Sequence, residues 1–129
     1  MKRKVRVLIV DDNRSARQGL KALLAHWPEM VVVNEAVNGQ QAVQMLGAYQ
    51  PDVVLMDLQM PVLDGFTATR QIKAQGSDVR VIALTTYGIF KDRAYAAGAD
   101  DFLIKGCGSA ALYDGIMRQF EHHSFQIDE

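Results

Sequence analysis

Short apolar runs alternate with amphipathic stretches along the chain. Val7-Leu8-Ile9-Val10, Val31-Val32-Val33, Val53-Val54-Leu55-Met56, Val81-Ile82-Ala83-Leu84 and Phe102-Leu103-Ile104 are mostly β-branched and bounded by polar or turn residues. Runs of this kind are expected as strands buried on both faces. Between them, apolar positions recur at helical spacing: Ala16, Leu20, Leu23 and Leu24 in one segment, then Ala42, Val43, Leu46 and Tyr49 in the next. A third helix is expected from about Asp64 to Gln75, with Phe66, Thr69 and Ile72 on one stripe, Asp64 as N-cap and Gly76 as terminator. A fourth is expected from about Gly88 to Ala97. A fifth, starting near Ser109, carries Leu112, Ile116 and Phe120 at steps of four. Trp27-Pro28 and Gln50-Pro51 close the first two helices, because the residue before a proline is pushed out of the helical region.

Strict alternation of strands and helices with short connections argues for an α/β domain whose parallel sheet is covered on both faces. For five strands the doubly wound order 2-1-3-4-5 sets the first and third side by side where the winding reverses, and ligands bind beyond the carboxyl ends there. A length of 129 residues holds one such domain and excludes two. The single cysteine, Cys107, belongs to no CxxC or Cys/His cluster and forms no internal disulfide, which fits a reducing compartment, so the cytoplasm is expected. A net charge of -1 provides no electrostatic footprint for nucleic acid. Val5 to Val10 follows a basic start but is interrupted by Arg6 and ends in two aspartates, unlike a signal peptide. No apolar stretch approaches a membrane span.

The residues immediately after the strands carry the chemistry. Asp11-Asp12 follows the first strand, Asp57 ends the third, Thr85-Thr86 ends the fourth and Lys105 ends the fifth. Carboxylates a few Å apart raise one another's pKa unless a cation sits among them. Magnesium suits such a site, because it takes oxygen ligands from one or two carboxylates together with a phosphate. No histidine or cysteine lies on this rim, which argues against zinc. A carboxylate beside such an ion can attack phosphorus to form an aspartyl phosphate. Lys105 and Thr85 offer a point charge and a hydroxyl to the phosphoryl oxygens.

The runs Val10-Asp11-Asp12, Leu55-Met56-Asp57-Leu58-Gln59-Met60-Pro61-Val62-Leu63-Asp64-Gly65, Ala83-Leu84-Thr85-Thr86 and Phe102-Leu103-Ile104-Lys105 resemble the receiver domain of bacterial two-component response regulators. The similarity extends from about Lys4 to Phe120. It implies a flavodoxin-like (CheY-like) fold, Asp57 as phosphoacceptor and metal ligand, and Asp12 binding Mg2+ directly with Asp11 assisting. It also implies that the backbone carbonyl of Gln59 completes the protein ligands and that Thr85 and Lys105 contact the phosphoryl group. Phe102 stands where the family places a switch aromatic, which turns inward when Thr85 moves. A sensor histidine kinase is the implied phosphodonor. The surface of helix four, strand five and helix five is the implied signalling face, including for a phosphorylation-dependent homodimer.

Thr85-Thr86-Tyr87 is most similar to the receivers of LuxR-type transcriptional regulators, which carry a helix-turn-helix output domain. Gly106 follows Lys105 where many members have proline, so a looser turn is expected there. The receiver is expected over residues 1–122 with a short tail at 123–129. That tail is too short for an output domain, so any DNA contact is expected from a partner or from further sequence.

Taken singly, each residue has a plainer reading. Asp-Asp after a strand is ordinarily turn chemistry or an N-cap. A threonine at a strand end can satisfy backbone groups, a lysine is ordinarily solvated, and an aromatic at a strand start is ordinarily core. Asp64-Gly65 reads as a turn and helix start, Asp100-Asp101 as a solvated strand entry, and His122-His123 as exposed tail. Met30, Met45, Met56 and Met117 fit strand and helix interiors. Cys107 receives no role. Two other functions stay open: a receiver-like interaction domain that is never phosphorylated, and a small phosphohydrolase using Asp57 as turnover nucleophile. The second lacks an acid two positions on, where Gln59 stands, and has no cap domain.

Overall fold

The computed structural model describes residues 3–76 and 78–120. Its elements run β1 (Val5–Val10), α1 (Arg14–Leu24), β2 (Met30–Ala36), α2 (Gly39–Tyr49), β3 (Val53–Asp57), α3 (Gly65–Ala74), β4 (Arg80–Thr85), a 3-10 turn (Gly88–Phe90), α4 (Lys91–Ala96), β5 (Asp101–Ile104) and α5 (Ser109–Arg118). The five strands pair in parallel in the order β2-β1-β3-β4-β5. This is the expected doubly wound topology, with the winding reversing between β1 and β3.

Strand alternation divides the core between the two faces of the sheet. Leu8, Val10, Val54, Met56 and Val81 point to one face, where Ala42 and Leu46 of α2 and Ala68 and Ile72 of α3 cover them. Val7, Ile9, Val53, Leu55 and Ile82 point to the other, under Leu24 of α1 and Leu112 and Ile116 of α5. A smaller cluster of Leu58, Phe66, Ala83, Ala94, Ala97 and Ala99 seats α4 beside α3, with Phe90 and Phe102 packed on it. The three central strands are the continuous apolar runs that burial on two faces requires.

The outer strands depart from that expectation. Only Met30 and Ala36 are buried in β2, and Val31 is 38% exposed; in β5, Ile104 is 39% exposed. Each pairs on one side only, so one flank faces solvent. The expected Asp64 cap forms, its side chain accepting from Thr67 N, and the structure adds two caps of the same kind, Asn13 accepting from Ala16 N and Asn38 from Gln41 N. The fourth helix differs, because its first turn is 3-10 and the α-helix begins only at Lys91. Neither Tyr87 nor Phe90 caps with its side chain, so the N–H groups that a helix start leaves without intrahelical partners depend on the tighter 3-10 bonding pattern.

Asp100 and Asp101 are not a solvated strand entry. Asp100 accepts from Lys73 Nζ at 2.9 Å and from Val81 N at 2.8 Å, and Asp101 from Arg118 at 2.7 Å. They tie α3 and α5 to the β4–β5 edge. Among the described residues no helix is long and apolar enough to cross a membrane. The expected tail, including His122 and His123, lies outside the described residues.

Candidate functional site

Four strand ends meet on one rim. β1 leads into Asp11 and Asp12, β3 ends in Asp57, β4 ends in Thr85, and Lys105 follows β5. Because β1 and β3 are neighbours, three carboxylates converge: one oxygen from each of Asp11, Asp12 and Asp57 lies within 4.8 Å of the others. Asp11 and Asp57 are buried, whereas Asp12 is exposed.

Lys105 reaches across from the far edge of the sheet. Its ammonium donates to Asp11 Oδ2 at 2.8 Å and stands 3.6 Å from Asp57 Oδ2. Backbone amides fix the remaining oxygens: Asn13 N donates to Asp11 Oδ1 at 2.9 Å, and Gln59 N to Asp57 Oδ1 at 3.3 Å. Burial, and then the neighbouring Asp11, push the Asp57 carboxyl up to about 6; Lys105 and the Gln59 amide oppose this, and Asp12 adds to it. Burial alone would lower the Lys105 ammonium, but its hydrogen bond to Asp11 and the charge of Asp57 outweigh burial and hold it above its ordinary value.

Three acids facing one lysine leave negative charge in excess, and every donor is a hard carboxylate oxygen. Such a set fits a divalent cation of the oxygen-seeking kind.

Thr85 is buried beside this cluster. Its Oγ1 accepts from Tyr87 N at 3.3 Å, so its hydroxyl hydrogen stays available to donate. Lys105 N donates to Thr85 O at 2.8 Å, which joins the two residues through the backbone. Phe102 is not part of the rim. It pairs with Ala83 across β4 and β5 and packs, partly buried, on the α4 cluster behind Thr85.

Gly106 does not displace Lys105, whose ammonium still reaches both buried acids. The turn takes a path of its own, with Gly106 at φ +83 and Gly108 at φ +99. Proline is locked near φ of about -65°, so this path is open to glycine and closed to proline. Cys107 between them is exposed.

One positioning residue escaped the sequence reading. A Cβ built on Gly65 would lie 2.7 Å from Leu58 Cα and overlap the carbonyl oxygen of Asp57. The start of α3 therefore rests directly on the peptide of Asp57, and Gly65 N donates to Leu58 O at 3.2 Å. The only signal for this was the Asp64-Gly65 pair, which reads equally well as a turn. In the loop between, Val62 sits at φ +70 inside a three-residue turn closed by Leu63 N to Pro61 O at 2.8 Å, a costly conformation for a β-branched residue.

Comparison with known proteins agrees with this geometry. The model of the response regulator receiver domain matches residues 7–117. The chain belongs to this family. It is 40% identical over 115 residues to the transcriptional regulatory protein LiaR of Bacillus subtilis, covering 87% of this chain and 54% of that protein. It is 42% identical over 105 residues to a protein-glutamate methylesterase/protein-glutamine glutaminase of Alkalilimnicola ehrlichii, covering 79% of this chain and 27% of that protein. Among solved structures, a LuxR-family two-component response regulator from Aurantimonas superimposes with a TM-score of 0.84 at 30% identity, over 90% of this chain and 84% of that one. The chain spans about half the length, or less, of these curated relatives. A receiver is a signalling domain, and the acidic cluster sits where the family model matches.

Proposed function

We propose that this receiver is the phosphoacceptor unit of a two-component response regulator, in which Asp57 takes a phosphoryl group from a sensor histidine kinase in a magnesium-dependent step. The observation that carries this reading is the three-carboxylate cluster with Lys105 laid across it. A carboxylate oxygen of Asp57 attacks the phosphorus of the phosphohistidine. The P–N bond breaks, the imidazole leaves and takes a proton from solvent, and an acyl phosphate remains on Asp57.

Asp12 and Asp57 would hold Mg2+ directly, Asp11 would assist and the Gln59 carbonyl would complete the protein ligands; the ion supplies neutralisation of charge on the transferring phosphoryl group. Lys105 provides a positive charge that swings between Asp11 and the phosphoryl oxygens. Thr85 donates its hydroxyl hydrogen to them.

Seating Thr85 against the new phosphate moves the end of β4, and Phe102 turns inward toward the space released. The signalling face is then the surface of α4, β5 and α5. Its exposed Tyr87, Ile89, Tyr95 and Ile104 support phosphorylation-dependent pairing with a second copy. Shifting such an equilibrium from mostly inactive to mostly active takes roughly 3 to 5 kcal/mol, within reach of a few charge-assisted hydrogen bonds. The likeness to LuxR-family regulators supports a transcriptional output. The near-neutral charge supports a receiver that does not itself touch DNA, and the lone exposed cysteine supports a cytoplasmic setting.

Incubation with Mg2+ and acetyl phosphate followed by intact mass measurement tests the reading. A single phosphoryl adduct is expected on the wild-type chain and none on Asp57→Asn or with a chelator present. An adduct that survives Asp57→Asn overturns Asp57 as acceptor, and sustained turnover of a phosphomonoester would restore the phosphohydrolase.

A further inference from the structure

The turn that carries Asp11 and Asp12 is gripped from outside the site. Arg17, at the end of the first turn of α1, donates through one terminal nitrogen to the backbone carbonyl of Asp11 at 2.8 Å. Its Nε donates at the same time to Glu35 Oε1 at 3.0 Å. Lys21, one helical turn further on, donates to the other oxygen of Glu35 at 2.6 Å. The two cations hold the Glu35 carboxyl below its ordinary range, with the Lys21 hydrogen bond the larger cause. The side chain of Arg17 is only 13% exposed and its bonds to Asp11 and Glu35 are partly buried, whereas Lys21 braces Glu35 from the surface.

Glu35 reaches α1 because β2 is irregular. Val7 pairs with Val32, but Leu8 pairs with Asn34, so Val33 is an extra residue in the strand. One extra residue reverses which side chains face which side of a sheet. Val32, before the irregularity, packs on the α1/α5 face, while Ala36, after it, packs on the α2/α3 face although both are even-numbered. Without the insertion Glu35 would point away from α1. With it, an acid on β2 meets two cations on α1.

Every polar part of Asp11 is thereby fixed. Its amide donates to Ala36 O at 3.1 Å, its carboxylate takes Asn13 N and Lys105, and its carbonyl takes Arg17. That carbonyl belongs to the peptide that joins Asp11 to Asp12, so its orientation sets where the exposed Asp12 carboxylate starts. We infer that Arg17 is a positioning residue for the acidic site, oriented by Glu35, and that it aims the Asp11–Asp12 peptide for cation binding. This rests on the proposed reading of that site.

Calorimetric titration with Mg2+ tests it, together with amide hydrogen exchange of the metal-free protein. Arg17→Ala should weaken Mg2+ binding about tenfold, as loss of an outer partner of a metal ligand does. Arg17→Lys should recover little, since an ammonium cannot occupy the carbonyl and the carboxylate with the fixed fork of a guanidinium. Glu35→Gln, which keeps an acceptor but loses the charge, should fall between wild type and Arg17→Ala. Exchange at Asp12 and Asn13 should quicken in Arg17→Ala before any metal is added. Leu24→Ala, destabilised in the same helix contact but away from the turn, should leave Mg2+ affinity unchanged. Unchanged affinity and exchange in Arg17→Lys and Glu35→Gln overturn the inference while leaving the site's reading intact. Wild-type protein that takes up no Mg2+ overturns the reading itself.

Discussion

On the β1–β3 side of the rim, Asp11 and Asp57 are buried, each carboxylate oxygen faces an amide or Lys105, and the peptides on either side are hydrogen-bonded. On the β4 side, the segment after Thr85 opens with a 3-10 turn lacking a side-chain cap, and Tyr87 and Ile89 are 53% and 83% exposed. What holds it is aromatic: Arg93 lies 4.1 Å over the Phe66 ring, and the Phe90 ring meets Phe66 and Tyr87 edge-on. One half of the site is over-determined and the other sparsely held. Chemistry needs carboxylates placed to within fractions of an ångström, whereas switching needs an element whose alternatives lie within a few kcal/mol.

Four substitutions sharpen that contrast. The largest effect belongs to Asp57 itself. Because its carboxyl is raised to about 6 from 3.8, the folded protein binds this proton more tightly than the unfolded chain does. Stability therefore falls as pH rises through that window, and above it the metal-free protein carries the full penalty, on the order of 3 kcal/mol. Denaturant unfolding with a chelator present should show Asp57→Asn more stable than wild type at pH 8 and the gap closing near pH 4. Adding Mg2+ at pH 8 should close it from the other direction, by stabilising wild type alone.

Next is Gly65→Ala. A methyl group there meets backbone, not a flexible side chain, so a loss of about 2 kcal/mol is expected, together with weaker Mg2+ binding because Asp57 must shift. Equal stability by thermal melting would show the β3–α3 junction to be softer than its geometry implies. On the other half, Arg93→Ala should cost about 1 kcal/mol and leave Mg2+ affinity unaltered. It should also speed amide exchange over residues 88–97. A change in metal binding there would dissolve the distinction between the halves. Ile89→Ser should be smallest, within about 0.5 kcal/mol in the monomer, with its effect confined to self-association of the phosphorylated protein.

The sheet order, the Asp64 cap and the rim residues were legible because each follows from local pattern: an apolar run, a cap before a helix, a polar residue at a strand end. Arg17 and Glu35 were not. They lie 18 positions apart, and only the extra residue in β2, which leaves no mark in Val31-Val32-Val33, brings them face to face. Asp100 was hidden for a similar reason, since its partner Lys73 is 27 residues away. The 3-10 start of the α4 segment could be suspected only from what is missing, a capping residue ahead of Gly88. Phe102 was placed correctly in β5, but its apolar neighbours come from α3 and α4 and were invisible to strand periodicity.

The turn after β5 bears on how such a protein can be engineered. A designer who puts proline after Lys105 would ordinarily expect a stiffer chain, because its ring fixes a backbone angle and lowers the entropy of the unfolded state. Here Gly106 occupies a left-handed backbone angle of +83, which that ring cannot reach. The substitution would force the connection to α5 to be rebuilt and would carry with it the lysine that guards both buried acids. Proline at position 106 is thus a disruptive mutation in this protein, and the safer target for rigidification is the exposed Cys107 between the two glycines.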